Sequence, residues 1–283
     1  MHGNAEPARS EDRHGGKDAQ RDAAANSMPT PVRRADHRFG QYEIKFLLGE
    51  ATAELVKDWA RVHMSRDPVA ACDERELYPV HSVYLDTPAL GVFGRAGALR
   101  TRKYRLRRYG NEDTIWLERK AKVRGRVKKR RTAISESELA CVYQSAPPEH
   151  WSGHWFRRRV ALRQLQPVCS VTYERFARVG LTPEGPIRMT LDRAIGGCGL
   201  RDLDVNTWDV PRGSLEGLQR LSGLCILELK YPTSLPSLFK GIMSDFALEP
   251  LKVSKFRTCM QTWVVPGGQE EASSEDGDSR AVA

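Results

Sequence analysis

The chain has 283 residues, an apolar fraction of 40% and a formal net charge of +9, enough for one large domain or two ordinary ones. No run of about 18 apolar residues occurs, which argues against a transmembrane helix, and MHGNAEPARSEDRHGG at the N-terminus lacks the apolar stretch of a secretory signal. Six cysteines without a CxxC pair give no zinc signature and read as reduced, buried thiols of a cytoplasmic protein.

Residues 1–37 carry six basic and six acidic side chains and no apolar periodicity, so they read as a disordered arm. The pattern beyond the arm predicts a single domain over 38–263. Tyr42–Phe46 reads as a first strand. A helix capped by Thr52 comes next, with Leu55, Val56 and Trp59 on one face. Val80–Asp86 is a second strand, ended by Thr87-Pro88. Leu99–Tyr109, Thr114–Lys122 and Val127–Ile134 form a meander, joined by Gly110-Asn111-Glu112-Asp113 and by a tight turn at Val123-Arg124-Gly125-Arg126. Two helices are predicted over 136–146 and 149–165. Strands recur at Val168–Arg178, Ile187–Arg193 and Cys225–Tyr231, a last helix spans Ser237–Phe246, and Leu251–Val264 closes the domain. Residues 264–283 carry five acids and one arginine and read as a disordered acidic tail. Eight antiparallel strands with helices between them predict an α+β fold built on a barrel or curled sheet.

The positive charge is concentrated. Residues 95–131 hold sixteen basic side chains against Glu112, Asp113 and Glu118, a net of +13 that equals the whole excess of the 38–263 domain. Such crowding is costly through self-repulsion, so a polyanionic partner is expected. Strand parity sharpens this, because residues two apart point the same way. Arg105 and Arg107 share a face opposite Leu106; Glu118, Lys120 and Lys122 share one opposite Leu117 and Ala121. Lys129 pairs in this sense with Arg131, Tyr173 with Arg175, Glu228 with Lys230 and Glu43 with Lys45, while Arg188, Thr190 and Asp192 align. A solvated sheet would mix signs to avoid like-charge neighbours; here the charged faces are mostly basic, with single acids one pleat from a base. Carboxylate oxygens in such a lining suit divalent metal ions that bridge to phosphate. If the sheet closes, the lining becomes a cationic tunnel.

Six segments in this order carry a resemblance: Tyr42-Glu43-Ile44-Lys45, Ser82-Val83-Tyr84-Leu85-Asp86-Thr87-Pro88, Arg105-Leu106-Arg107-Arg108-Tyr109-Gly110, Trp116-Leu117-Glu118-Arg119-Lys120, Leu227-Glu228-Leu229-Lys230 and Lys252-Val253-Ser254-Lys255-Phe256. Together they resemble the VTC domain, the polyphosphate polymerase module of the vacuolar transporter chaperone family, within the triphosphate tunnel metalloenzymes. The resemblance implies an eight-stranded antiparallel tunnel that takes ATP and a divalent metal, Mn²⁺ or Mg²⁺. It implies transfer of the γ-phosphate to a growing inorganic polyphosphate chain with release of ADP. By motif, Lys45, Arg105, Arg107, Lys120, Arg175, Arg188 and Lys230 would act on the reacting phosphates. Lys122, Lys129, Arg131, Tyr173, Lys252, Ser254 and Lys255 would bind substrate. Glu228 would hold the metal, with Glu118 and Glu43 as further candidates. A phosphate oxygen is already ionised near neutral pH, so the acceptor needs no strong general base. The family's phosphate-sensing and membrane segments are not found in this sequence, so a stand-alone soluble enzyme is expected, one that could dock on a separate membrane protein.

Two other classes fit parts of the sequence. A tunnel-fold triphosphatase would use water as acceptor, but it usually shows a first strand with alternating glutamates, and Gln41-Tyr42-Glu43-Ile44-Lys45 has one glutamate in register. A non-catalytic polyphosphate or nucleic-acid binder would suit the basic segment and its interleaved Tyr104, Tyr109 and Trp116. No RNA- or DNA-binding motif accompanies them, so no specific nucleic acid is expected.

Overall fold

The computed structural model describes residues 40–68, 76–110, 112–199 and 221–263; the arm and tail expected at 1–37 and 264–283 lie outside them. The chain runs β1 (Tyr42–Gly49), α1 (Glu50–His63), β2 (Ser65–Arg66), β3 (Leu77–Asp86), β4 (Arg102–Tyr109), β5 (Thr114–Val123), β6 (Arg126–Ser135), α2 (His154–Arg163), β7 (Gln166–Thr182), β8 (Gly185–Gly199), β9 (Leu224–Tyr231), α3 (Ser237–Asp245) and α4 (Lys255–Trp263). One antiparallel sheet has the order β1-β9-β8-β7-β3-β4-β5-β6, with the two-residue β2 beside β7. The α+β expectation of eight curled antiparallel strands holds.

Alternation along each strand builds two different faces. On the outer side, Phe46, Leu48, Met189, Leu191, Leu227 and Leu229 pack with Ala53, Val56 and Ala60 of α1 and with Phe239 and Ile242 of α3. Further round the sheet, Leu106, Ile115 and Leu117 pack with Phe156 and Val160 of α2. The concave side is charged. One part of it is instead apolar, where Phe256, Cys259 and Met260 of α4 pack with Tyr84, Val171 and Ile226. No described helix is long and apolar enough to cross a membrane.

The two ends of the sheet meet at a narrow seam. Gln41 and Val127 form an isolated antiparallel bridge, with the Val127 amide donating to the Gln41 carbonyl at 3.0 Å. The Arg126 guanidinium lies 5.2 Å from the Tyr42 ring centroid, and that ring stacks on Tyr231 at 5.6 Å. Gly40 permits this approach, because a Cβ there would lie 2.8 Å from the Val127 carbonyl oxygen. The adjoining β5–β6 turn has positive φ at both Arg124 (48°) and Gly125 (77°), the conformation that matches the right-handed twist of a two-residue hairpin.

Several local expectations are corrected. The N-cap of α1 is Gly49 rather than Thr52, because β1 runs three residues further and turns directly into the helix. Leu55 is consequently 59% exposed, and the buried stripe is Ala53, Val56, Lys57 and Ala60. The helix expected over 136–146 is a 3₁₀ helix, Glu136–Val142, opened by a Ser135/Glu138 capping box and succeeded by Pro147-Pro148. The next helix begins only at His154 and ends at Arg163, with Gln164 as its C-cap in the left-handed region. Strand β4 starts at Arg102, since Gly97–Leu99 is a 3₁₀ turn, and β7 and β8 extend to Thr182 and Gly199 as one long hairpin. The closing segment Leu251–Val264 is helical from Lys255.

Gly40→Ala is expected to push the seam apart and cost about 1–2 kcal/mol, read as a lower Tm. Gly241→Ala, where an added Cβ meets nothing within 4 Å inside α3, is expected to raise stability by about 0.5–1 kcal/mol.

A cationic lining on the concave face of the sheet

The cross-strand register places the parity pairs on one continuous surface. Glu43 faces Lys230 and Lys45 faces Glu228 across β1–β9; Arg188 and Thr190 of β8 face Lys230 and Glu228. Asp192 faces Arg175, which faces Tyr78. Tyr84 faces Arg105 and Ser82 faces Arg107, while Lys103, Arg105 and Arg107 face Lys120, Glu118 and Trp116. Lys120 and Glu118 then face Lys129 and Arg131.

Each of four acids on this surface sits between two cations. Glu43 contacts Lys45 at 3.2 Å and, across the seam, Lys120 at 2.7 Å. Glu228 contacts Lys45 at 3.3 Å and Lys230. Glu118 lies between Arg105 at 2.6 Å and Lys129. Asp192 takes Arg175 at 2.6 and 2.8 Å through two nitrogens, and Lys255 at 2.6 Å. Two further cations bond hydroxyls. Arg107 Nε donates to Ser82 at 2.9 Å and Lys103 Nζ to Ser254 at 2.7 Å.

Confinement moves the titration of these groups. Burial alone would raise the carboxyls, yet Arg175 and Lys255 hold Asp192 well below its usual range, and Arg105 and Lys129 do the same to Glu118. Glu228 is likewise held low by Lys230, Lys45 and Lys120. Burial pulls Lys129 and Lys255 down to about 8 against the pull of Glu118 and Asp192. Lys103 falls well below the usual lysine range through burial and its neighbours Lys45, Lys120 and Arg105. Tyr109, which burial would raise, is brought to about 7, with Lys129 as the strongest of its cationic neighbours. A surface that holds lysines partly neutral and a tyrosine partly ionised is short of negative charge.

Lys45, Arg105, Arg107, Lys120, Lys129, Tyr173, Arg175, Lys230 and Lys255 therefore come together. Arg188 joins through Tyr78 at 3.2 Å and is held by the buried Asp67 at 2.7 Å. Ser254 caps the start of α4, accepting from the Arg257 amide at 3.3 Å. Arg131 lies over the Trp116 ring at 4.2 Å, at the border of the lining. Lys122 and Lys252 are exposed, Lys122 at the end of β5 and Lys252 ahead of α4. Sequence reasoning missed Lys103, although it shares parity with Arg105 and Arg107, and missed Tyr109, two residues beyond Arg107. It also missed Asp67, which no pattern marks.

Of the metal candidates, Glu43 and Glu228 form a pair of hard oxygen donors that share Lys45, a set that fits Mg²⁺ or Mn²⁺ bound jointly with phosphate oxygens. No group of three or more metal-ligating side chains converges among the described residues. Glu118 is enclosed by its two cations, with its side chain 2% exposed, and Asp192 acts as a clamp between Arg175 and Lys255.

Because the lining carboxyls are depressed in the folded state, the stability they contribute is present above about pH 4 and is lost as the pH falls toward their folded values. Asp192→Asn should cost about 3 kcal/mol by leaving Arg175 and Lys255 undercompensated, on the order of 10 °C in Tm. It should also flatten the acid limb of a Tm-against-pH curve.

The sequence model described as the VTC domain matches residues 40–264. No curated protein matches the chain. Among solved structures, a putative adenylate cyclase from Bacillus halodurans is 12% identical with a TM-score of 0.48, over 76% of this chain and 94% of that one. The putative adenylyl cyclase HpAC1 from Hippeastrum, described as having a dominant triphosphatase activity, is 15% identical with a TM-score of 0.46, over 80% and 98%. PH1819 from Pyrococcus horikoshii is 11% identical with a TM-score of 0.41, over 78% and 99%. With the family match covering the whole curled sheet and its cationic lining, the chain belongs to the VTC domain family.

Proposed function

We propose that the protein is a polyphosphate polymerase that transfers the γ-phosphate of ATP to the end of an inorganic polyphosphate chain and releases ADP. The observation that carries this reading is the charge balance of the lining. Seven cations, Lys45, Arg105, Lys120, Lys129, Arg175, Lys230 and Lys255, surround four carboxylates, and Arg107 and Lys103 add two more that bond hydroxyls. A surface this rich in cations and poor in acids suits a polyanion longer than one nucleotide.

In the reaction, a terminal phosphate oxygen of the chain attacks the γ-phosphorus, one P–O bond forms, and the bond to the bridging oxygen of ADP breaks. No proton need be removed from the attacking oxygen. The protein's part is to bring two anions together and to neutralise charge as it shifts to the leaving oxygen. Arg105 is already oriented by Glu118, Arg175 by Asp192 and Lys45 by its two glutamates, so these donors need little reorganisation. Arg107, bonded to Ser82 and 5.9 Å from the Tyr173 ring centroid, would meet phosphate oxygens directly. A divalent Mn²⁺ or Mg²⁺ at Glu228 and Glu43 would supply further neutralisation of the phosphate oxygens. The five described cysteines are free, which accords with a cytoplasmic setting.

Incubation with ATP and Mn²⁺ or Mg²⁺ should yield ADP and a polyphosphate ladder on a gel; free phosphate without chains would instead indicate triphosphate hydrolysis. Glu228→Gln and Arg107→Ala should each reduce chain synthesis by at least about 100-fold while the circular dichroism spectrum stays unchanged.

The depressed lysines predict a pH signature. As the pH rises through about 8, Lys129 and Lys255 lose their protons, and Tyr109 has gained charge from about 7 upward. Tripolyphosphate affinity should therefore fall between pH 7 and pH 9. Near pH 8.5 binding should take up protons, read by titration calorimetry in buffers of different ionisation enthalpy.

A further inference from the structure

Strand parity sends a second set of basic side chains outward from the same three strands. Across β4–β5–β6 the outer face carries Arg102 opposite Ala121 and Ala121 opposite Lys128. One pleat further along, Arg119 lies directly opposite Arg130. Arg159 of α2 is close enough to depress Arg119, as are Arg102 and Arg130, after the effect of burial itself. Two arginines directly opposed across strands destabilise a sheet, and the Nε of Arg119 is buried without a hydrogen-bond partner. Among the described residues, no ion pair reaches Arg102, Arg119, Lys128, Arg130 or Arg159; the Arg130 guanidinium lies over the Trp155 ring at 4.3 Å.

This outer strip is continuous with the lining. Lys120 and Lys129 face inward one pleat from Arg119, Lys128 and Arg130. The β5–β6 turn between the faces carries Arg124, with Lys122 and Arg126 at the strand ends beside it. At about 3.3 Å per residue, the path from Arg119 to the turn is about 17 Å, well beyond the reach of a triphosphate seated among Lys45, Lys120 and Lys230.

We infer that the outer face of β4–β5–β6 is a second anion-binding track, on which a long inorganic polyphosphate chain lies after passing over the β5–β6 turn. This rests on the polyphosphate reading of the lining. The chemistry favours bare phosphate over nucleic acid. Four of the five cations are arginines, whose planar forks match phosphate oxygens. The aromatic rings nearby offer no stacking platform for bases, since Tyr104 is 1% exposed and Arg130 covers Trp155. A chain of phosphates carries repulsive charge at every unit, so a track outside the tunnel holds the emerging chain without crowding it back into the lining.

The test is binding of two probes, tripolyphosphate and a polyphosphate of about 100 units, to the full chain and to the double variant Arg119→Gln/Arg130→Gln. The variant removes an opposed like-charge pair, so its Tm should equal or exceed that of the unchanged protein. Its affinity for the long chain should fall about tenfold, and the slope of log K against log salt should become shallower by one to two; tripolyphosphate affinity should not change. Unaltered long-chain affinity and salt slope in a folded variant would overturn the track. So would equal competition by a single-stranded oligonucleotide of matched charge. If the unchanged protein binds the long chain through Arg119 and Arg130 but does not bind tripolyphosphate, the track stands and the reading of the lining fails.

Discussion

A concave wall can hold many like charges only if most are compensated locally, and in this protein the compensation comes from four carboxylates placed between cations. Glu43, Glu118, Glu228 and Asp192 each touch two basic side chains. The spacing comes from the sheet. A carboxylate one pleat away or one strand across from a base is within contact distance of two or three cations at once. Removing one acid would leave two cations undercompensated, so the sparse acids carry structural weight out of proportion to their number. They also join parts of the chain that are remote in sequence. Glu43 on the edge strand β1 and Lys120 on β5, next to the opposite edge, bridge the seam, and Asp192 ties α4 to β7 and β8 through Lys255 and Arg175. Shape and charge are thus maintained by the same contacts.

The lining was legible because its rule is local. Period-two alternation assigns a side chain to a face without knowledge of which strands pair, so the parity sets from Glu43/Lys45 to Glu228/Lys230 lie on the concave face, with Lys122 exposed at the strand end and Arg131 at the border. Lys103 obeys the same rule but fell outside the motifs that drew attention to Arg105 and Arg107. The start of the helix after β1 is set by something other than its local sequence. Thr52 is a good cap in isolation, but the strand's extension to Gly49 fixed the helix start and rotated Leu55 outward. The seam and the buried Asp67 under Arg188 depend on contacts across 86 and 121 positions of sequence, respectively. No local pattern marks such pairs. The approach of Gly40 to Val127 was equally hidden, since glycine at that point is also what an unstructured segment would contain.

α4 gives the concave face a second character. Its first turn contributes Lys255 to the charged lining, and Ser254 before it takes a bond from Lys103. Its later residues Phe256, Cys259 and Met260 bury against Tyr84, Val171 and Ile226. A single nine-residue helix therefore divides the interior into a polar portion and a dry one. The dry portion lowers the effective dielectric beside the cations, which strengthens every contact they make with an anion.

β6 carries cations on both of its faces, and this leaves its register weakly specified from within. Lys128, Lys129, Arg130 and Arg131 alternate outward and inward, so a slip of one residue would exchange one basic face for another and meet little hydrophobic penalty. Register must come from elsewhere, and the structure supplies it at the strand's ends and flanks: the left-handed Arg124-Gly125 turn, the burial of Ile134, and the indole of Trp155 donating to Thr132 at 2.8 Å. The same run protects the molecule in solution. Among the described residues, β6 and β1 are the terminal strands of the sheet and share a single bridge, leaving backbone groups that could template pairing with another copy. Four consecutive cations on such an edge repel a second identical strand, so the residues that make the protein a host for polyanions also guard it against aggregation.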